Sequence, residues 1–73
     1  MGPQVETTSQ GLRRRLDLLY TELAAARATA LSYDSSYMRD LRDELNEVHA
    51  AWAMASVMEI AIRRARESGP LLG

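Results

Sequence analysis

Apolar residues recur along residues 12–30 at alternating intervals of four and three, the spacing of a helix that packs along one face. The positions are Leu12, Leu16, Leu19, Leu23, Ala26 and Ala30. Such a stripe is typical of a coiled-coil seam. No stretch alternates apolar and polar residues with period two, so we expect no strand and an all-α fold. The pattern predicts helix 1 over residues 9–31, with Thr7 and Gln10 forming a capping box at its start.

A second helix is predicted over residues 36–68, ending where Gly69 precedes Pro70. Its seam consists of Met38, Leu41, Leu45, Val48, Trp52, Ala55, Glu59 and Ile62. A second apolar line appears only in its later half, at Ala51, Met54, Met58, Ala61 and Ala65. A helix that is apolar nearly all round is usually buried. We therefore expect the later half to be covered on more than one side.

The segment 32–36, Ser-Tyr-Asp-Ser-Ser, separates the two predicted helices. Its short polar side chains compete for backbone groups and favour caps and turns, so Asp34, Ser35 and Ser36 are each candidate caps for helix 2. The apolar rhythm also changes phase across this segment. These observations favour a turn. One long helix with a stutter is the alternative, because neither glycine nor proline enforces a break.

A turn would fold the two helices into an antiparallel, coiled-coil-like hairpin over residues 9–68, with flexible tails at residues 1–8 and 69–73. Pairing outward from position 34 sets Leu12 beside residue 56, so the end of helix 2 overhangs helix 1. The overhang continues an apolar run at residues 50–62, a larger patch than a soluble monomer usually exposes. A second chain would cover it, so we expect a homodimer that forms a four-helix bundle. The predicted self-association interface is Ala51, Trp52, Met54, Ala55, Met58, Glu59, Ala61 and Ile62.

Composition supports association rather than an independent core. The chain has 73 residues, no cysteine and one histidine, so neither disulfides nor a histidine–cysteine metal site would stabilise so small a domain. The net charge of −1 does not indicate a polyanionic partner. The predicted turn end is acidic and the open end basic, which favours a head-to-tail arrangement of two hairpins. The apolar run is too short to span a membrane and the N-terminal residues do not resemble a signal peptide, so we expect a cytoplasmic protein.

Few residues suggest chemistry, and we predict no catalytic residue, no cofactor and no metal site. The acids Asp40, Glu44 and Glu47 share one helix face and are interpreted as a solvated surface. His49 has no acidic or histidine neighbour one turn away. Glu59 is expected either to pair with Arg63 at the surface or to be buried and fix register between chains. Candidate contacts with a partner or with phosphates are Arg13, Arg14, Arg15, Arg63, Arg64 and Arg66.

The stretch Leu-Arg-Asp-Glu-Leu-Asn-Glu-Val at residues 41–48 is loosely similar to the second helix of small aspartyl-phosphate phosphatases, which carries Ser-Gln-Glu-Leu-Asp. Only Glu44 and Leu45 match that motif. The size and architecture also resemble the small hairpin co-chaperones of type III secretion. The prediction from the sequence is a non-enzymatic, self-associating hairpin that binds a protein partner as an adaptor, regulator or co-chaperone. The alternatives are a hairpin dimer that binds RNA or DNA and a phosphatase-like binder of response regulators.

Overall fold

A computed structural model describes residues 8–68, and within them the fold is an all-α helical hairpin without strands. Helix α1 spans Ser9–Arg27, a 3-10 helix spans Ala30–Tyr33, and helix α2 spans Ser35–Ser68. The predicted tails at residues 1–8 and 69–73 lie outside the described residues, except for Thr8. The chain reverses between α1 and α2, so the alternative of one continuous helix is wrong.

Helix α1 begins with Thr8 as its N-cap, one residue after the predicted Thr7, which lies outside the described residues. The Thr8 hydroxyl accepts a hydrogen bond from the Gly11 amide at 3.1 Å. The Thr8 carbonyl accepts the first helical bond, from the Leu12 amide at 2.9 Å. The cap therefore satisfies two of the amides that have no partner inside the first turn.

Helix α1 ends at Arg27, four residues earlier than predicted, because Thr29 redirects the chain. The Ala28 and Thr29 amides donate to carbonyls three residues back, both at 3.1 Å, which tightens the last turn. Thr29 is extended, and its hydroxyl accepts from the Leu31 amide at 3.2 Å to begin the 3-10 helix. Ala30 consequently leaves the α1 seam and is exposed, contrary to the prediction.

Helix α2 is capped by Asp34, one of the three candidates for this position. Its carboxylate accepts a hydrogen bond from the Tyr37 amide at 3.0 Å, and its carbonyl accepts from the Met38 amide at 3.0 Å. An acidic side chain at a helix N-terminus also interacts favourably with the helix dipole. The local chemistry of Asp34 thus explains why α2 starts at Ser35.

The core between the two helices is formed by the predicted seams. It contains Leu16, Leu19, Leu23, Ala26, Met38, Leu41 and Leu45, with Tyr37, Val48 and Trp52 packed against it. Leu12 is also buried. Burial ends near Trp52 along α2, and every buried residue of α2 lies before residue 46. Ile62, predicted in the same seam, is 48% exposed because α1 begins at Ser9, opposite Glu59.

Candidate functional site

Residues 50–62 of α2 have their polar side chains on the side of α1. Between residues 50 and 62 the polar residues are Ser56, which is half-buried, and Glu59, which contacts the first residue of α1. Both positions continue the line of Leu45 and Trp52 at helical spacing. The remaining circumference of this segment is apolar. The usual arrangement of an amphipathic surface helix, with its polar side toward solvent, is therefore absent here.

Glu59 joins the two helices at the open end of the hairpin. Its carboxylate accepts hydrogen bonds from the Ser9 amide at 2.8 Å and from the Ser9 hydroxyl at 2.6 Å. The hydroxyl and amide hydrogen bonds of Ser9 lower the pKa of the Glu59 carboxyl. Glu59 thus satisfies an amide that the helix itself leaves without a partner.

This arrangement corrects the expected pairing of Glu59 with Arg63. The carboxylate is exposed rather than buried, and Arg63 pairs with Glu67 at 3.8 Å instead of with Glu59. Glu59 does fix register, but between the helices of one chain. The expected role of Glu59 in fixing register between two chains stays a prediction.

Trp52 also belongs to the contact between α1 and α2. Its ring is half-buried against the hairpin core, and the Arg13 guanidinium lies 5.8 Å from the ring centroid in a cation–π contact. The His49 ring packs against it at 5.6 Å in a tilted geometry. Ala55, one turn further along, is half-buried. Of the eight residues predicted for self-association, Trp52, Ala55 and Glu59 therefore face α1 within their own chain.

The other side of the same segment forms a continuous apolar surface, which we call the outward stripe. Its members are exposed and lie on the side of α2 away from α1, with Val57 and Met58 adjacent and the others three or four residues apart: Ala50, Met54, Val57, Met58, Ala61 and Ala65. Met54 is 65% exposed, Val57 63% and Met58 53%. Four of the six were in the predicted second apolar line, and Ala51 borders the stripe.

Three of the six candidate arginines form ion pairs within the chain. Arg13 pairs with Asp17 at 3.4 Å, Arg15 pairs with Glu44 across the helices, and Arg63 pairs with Glu67. Among the described residues, Arg14, Arg64 and Arg66 form no ion pair. Half of the guanidinium groups thus already have a carboxylate partner, which weakens their attraction for phosphate.

Two polar contacts across the helices have no counterpart in the sequence analysis. Arg15 binds Glu44, a member of the predicted solvated acidic face, and the Tyr37 hydroxyl donates to Glu22 at 2.5 Å. The hydrogen bond to Glu22 raises the pKa of the Tyr37 phenol. Pairing residues outward from the turn, which sets Leu12 beside residue 56, also places Ser9 opposite Glu59. Long side chains reach beyond that pairing, so it could not have identified Arg15 and Glu44.

The described residues contain no group of three or more side chains suited to hold a metal ion. None of the helices in residues 8–68 combines the length and apolar character that crossing a membrane requires. Among described titratable groups, shifted pKa values occur at Tyr37 and Glu59, and both follow from contacts that hold the helices together.

Comparisons of the chain with protein-family models, curated proteins and solved structures found no match.

Proposed function

We propose that the chain is a non-enzymatic helical hairpin that self-associates, a homodimer forming a four-helix bundle, and that acts as an interaction module for a protein partner. The observation that carries this proposal is the inverted polarity of residues 50–62. Their polar side chains contact or face α1, and the outward stripe presents apolar side chains to solvent. A protein that functions as a free monomer would gain stability from the opposite arrangement.

Covering this surface would contribute favourable free energy to association. Covering apolar area contributes roughly 25 cal/mol per Å², and full burial of a methionine or valine side chain contributes about 1.5–3 kcal/mol. Met54, Val57 and Met58 are each more than half exposed. Covering each of these side chains contributes about 1 kcal/mol in each of the two chains to the free energy of association. Methionine also adapts its shape to different surfaces, which suits a module that binds both itself and another protein.

A non-enzymatic role is supported by where the titratable groups lie. A general acid or base needs a cleft that adjusts its pKa and holds a substrate against it. Glu59 and Tyr37, whose pKa values are shifted, use their polar atoms to join α1 to α2. The carboxylate of Glu44 is engaged by Arg15. These groups serve the hairpin, and the exposed apolar surface serves association.

The proposal is tested by measuring molar mass with light scattering over a range of concentrations. We expect the wild type to be a dimer and Met54→Glu to be a monomer with unchanged helix content. Leu18→Glu is the matched control, because Leu18 is 66% exposed on α1 and lies outside the outward stripe. The control should keep the mass of the wild type. A wild type that stays monomeric at the highest concentration contradicts the proposal.

The module's partner would be found by the same surface. A protein partner should bind wild type and Leu18→Glu equally and should lose affinity for Met54→Glu. Strong, salt-sensitive binding to mixed oligonucleotides would instead favour the nucleic-acid alternative. Accelerated loss of aspartyl phosphate from a response regulator would favour the phosphatase-like alternative. If either activity is observed and Met54→Glu does not change it, the proposed role of the outward stripe is overturned.

A further inference from the structure

The outward stripe has a spacing that is symmetric about its own centre. Counting from Ala50, its members follow at intervals of four, three, one, three and four residues, ending at Ala65. The midpoint lies between Val57 and Met58. A two-fold axis through that midpoint brings each position of the stripe opposite another position of the stripe in a second, antiparallel copy. Self-complementarity of this kind is what a two-fold interface requires.

Side-chain size favours the antiparallel orientation over the parallel one. In the antiparallel arrangement the large Met54 lies opposite the small Ala61 of the second copy, Val57 lies opposite Met58, and Ala50 lies opposite Ala65 at each end. A parallel arrangement in register would instead place Met54 against Met54 and Ala61 against Ala61. Because the distance between packed helices depends on the side chains at the contact, such pairing would push the helices apart at one level and leave a gap at another.

Charge at the two ends of the stripe points the same way. Glu47 lies one turn before Ala50 on the same face, and Ser68 lies one turn after Ala65. The antiparallel arrangement sets Glu47 opposite Ser68 and within one turn of Arg64, which has no ion-pair partner among the described residues. A parallel arrangement would set Glu47 against its own copy and Arg64 against its own copy, and both contacts are repulsive.

We propose that two copies pack α2 against α2 in antiparallel orientation, with the two-fold axis between Val57 and Met58. The partner of the outward stripe is the outward stripe of a second chain. This inference rests on the proposed self-association and adds its orientation and contacting surface. It also explains the overhang, since the residues of α2 beyond Glu59 lie along residues 48–55 of the second copy.

The absence of cysteine from the wild type permits a direct test with single-cysteine variants. Ala50→Cys and Ala65→Cys, mixed and oxidised after subunit exchange, should form a disulfide between the two variants. Neither variant alone should link to itself, since antiparallel packing separates the two copies of residue 50 by about 22 Å along the helix, far beyond disulfide reach. Leu18→Cys on α1 measures linking by random collision.

The outcomes separate failure of the orientation from failure of the self-association. A dimer by light scattering in which Ala50→Cys links to itself contradicts the antiparallel orientation and leaves self-association intact. A dimer in which the mixture links no better than Leu18→Cys contradicts the α2–α2 surface. A monomer by light scattering refutes both proposals. A mixed disulfide well above the Leu18→Cys level, with neither variant linking to itself, supports the antiparallel arrangement.

Discussion

Replacing Leu16 by alanine should remove most of the stability of the hairpin. Leu16 is 2% exposed and belongs to the cluster of buried residues shared by α1 and α2. The substitution removes three carbons, which at about 0.8 kcal/mol per buried methylene costs roughly 2 kcal/mol before any cavity is counted. Buried leucine-to-alanine changes cost about 2–5 kcal/mol in practice. A core of this size supplies only about 3–5 kcal/mol.

The matched control is Leu18→Ala, two residues away on the same helix. Leu18 is 66% exposed, so the same chemical change should cost less than about 1 kcal/mol. Urea unfolding followed by circular dichroism at one fixed protein concentration measures both variants, and the concentration must match because association adds to apparent stability. If Leu18→Ala lowers the free energy of unfolding as much as Leu16→Ala does, then another chain buries that face of α1 and the reasoning is refuted.

Three further predictions concern the polar contacts. The hydrogen bonds from Ser9 lower the pKa of Glu59, so Glu59 stabilises the hairpin at pH values above the ordinary carboxyl pKa. At neutral pH the wild type should therefore have a higher urea midpoint than Glu59→Gln. That difference should shrink as pH falls below about 4.5 and through the lowered pKa, and a gap that persists in acid would count against the Ser9 contact. Glu22 raises the pKa of Tyr37, so phenolate absorbance should show Tyr37 ionising above its ordinary pKa of 10.0. The Glu22→Gln variant should lower the pKa of Tyr37, and an unchanged pKa in that variant would contradict the contact. Asp34→Ala should cost about 1 kcal/mol in thermal or urea unfolding because the α2 cap is lost, whereas Asp43→Ala within α2 should cost much less; equal losses would show that capping is not the cause.

The helices and their seams were predictable because burial follows helical spacing. The line from Leu12 to Ala26 is buried at every predicted position. Met38, Leu41 and Leu45 are buried likewise on α2. These positions depend only on the period of the helix and on the hydrophobic effect, which the residue types express directly. The hairpin followed from the change of phase between the two seams.

The end of α1 was not predictable from that pattern. Ala30 continues the apolar rhythm, yet the chain leaves the helix after Arg27 because the hydroxyl of Thr29 accepts the Leu31 amide. Threonine both continues helices and caps them, and only its surroundings decide which occurs. The cap at Thr8 instead of Thr7 has the same origin, since adjacent threonines offer the same hydroxyl at neighbouring positions.

The role of Glu59 does not follow from the apolar pattern alone and depends also on how residues of α1 and α2 pair. A single acid in an apolar seam indicates burial, an ion pair one turn away, or a contact with another helix. Which of these occurs depends on where α1 begins. The length of the connection between Arg27 and Ser35 determines that Ser9 lies opposite Glu59. Once that pairing is known, three residues of the predicted interface face α1, and three lie in the outward stripe: Trp52, Ala55 and Glu59, and Met54, Met58 and Ala61.

The central claim is that the outward stripe is covered by a second copy of the chain. The most direct measurement is the molar mass of the wild type by light scattering across a dilution series, beside Met54→Glu. We expect the wild type to be a dimer that dissociates on dilution and Met54→Glu to be monomeric throughout with its helices intact. A wild type that remains a monomer at every concentration would contradict it.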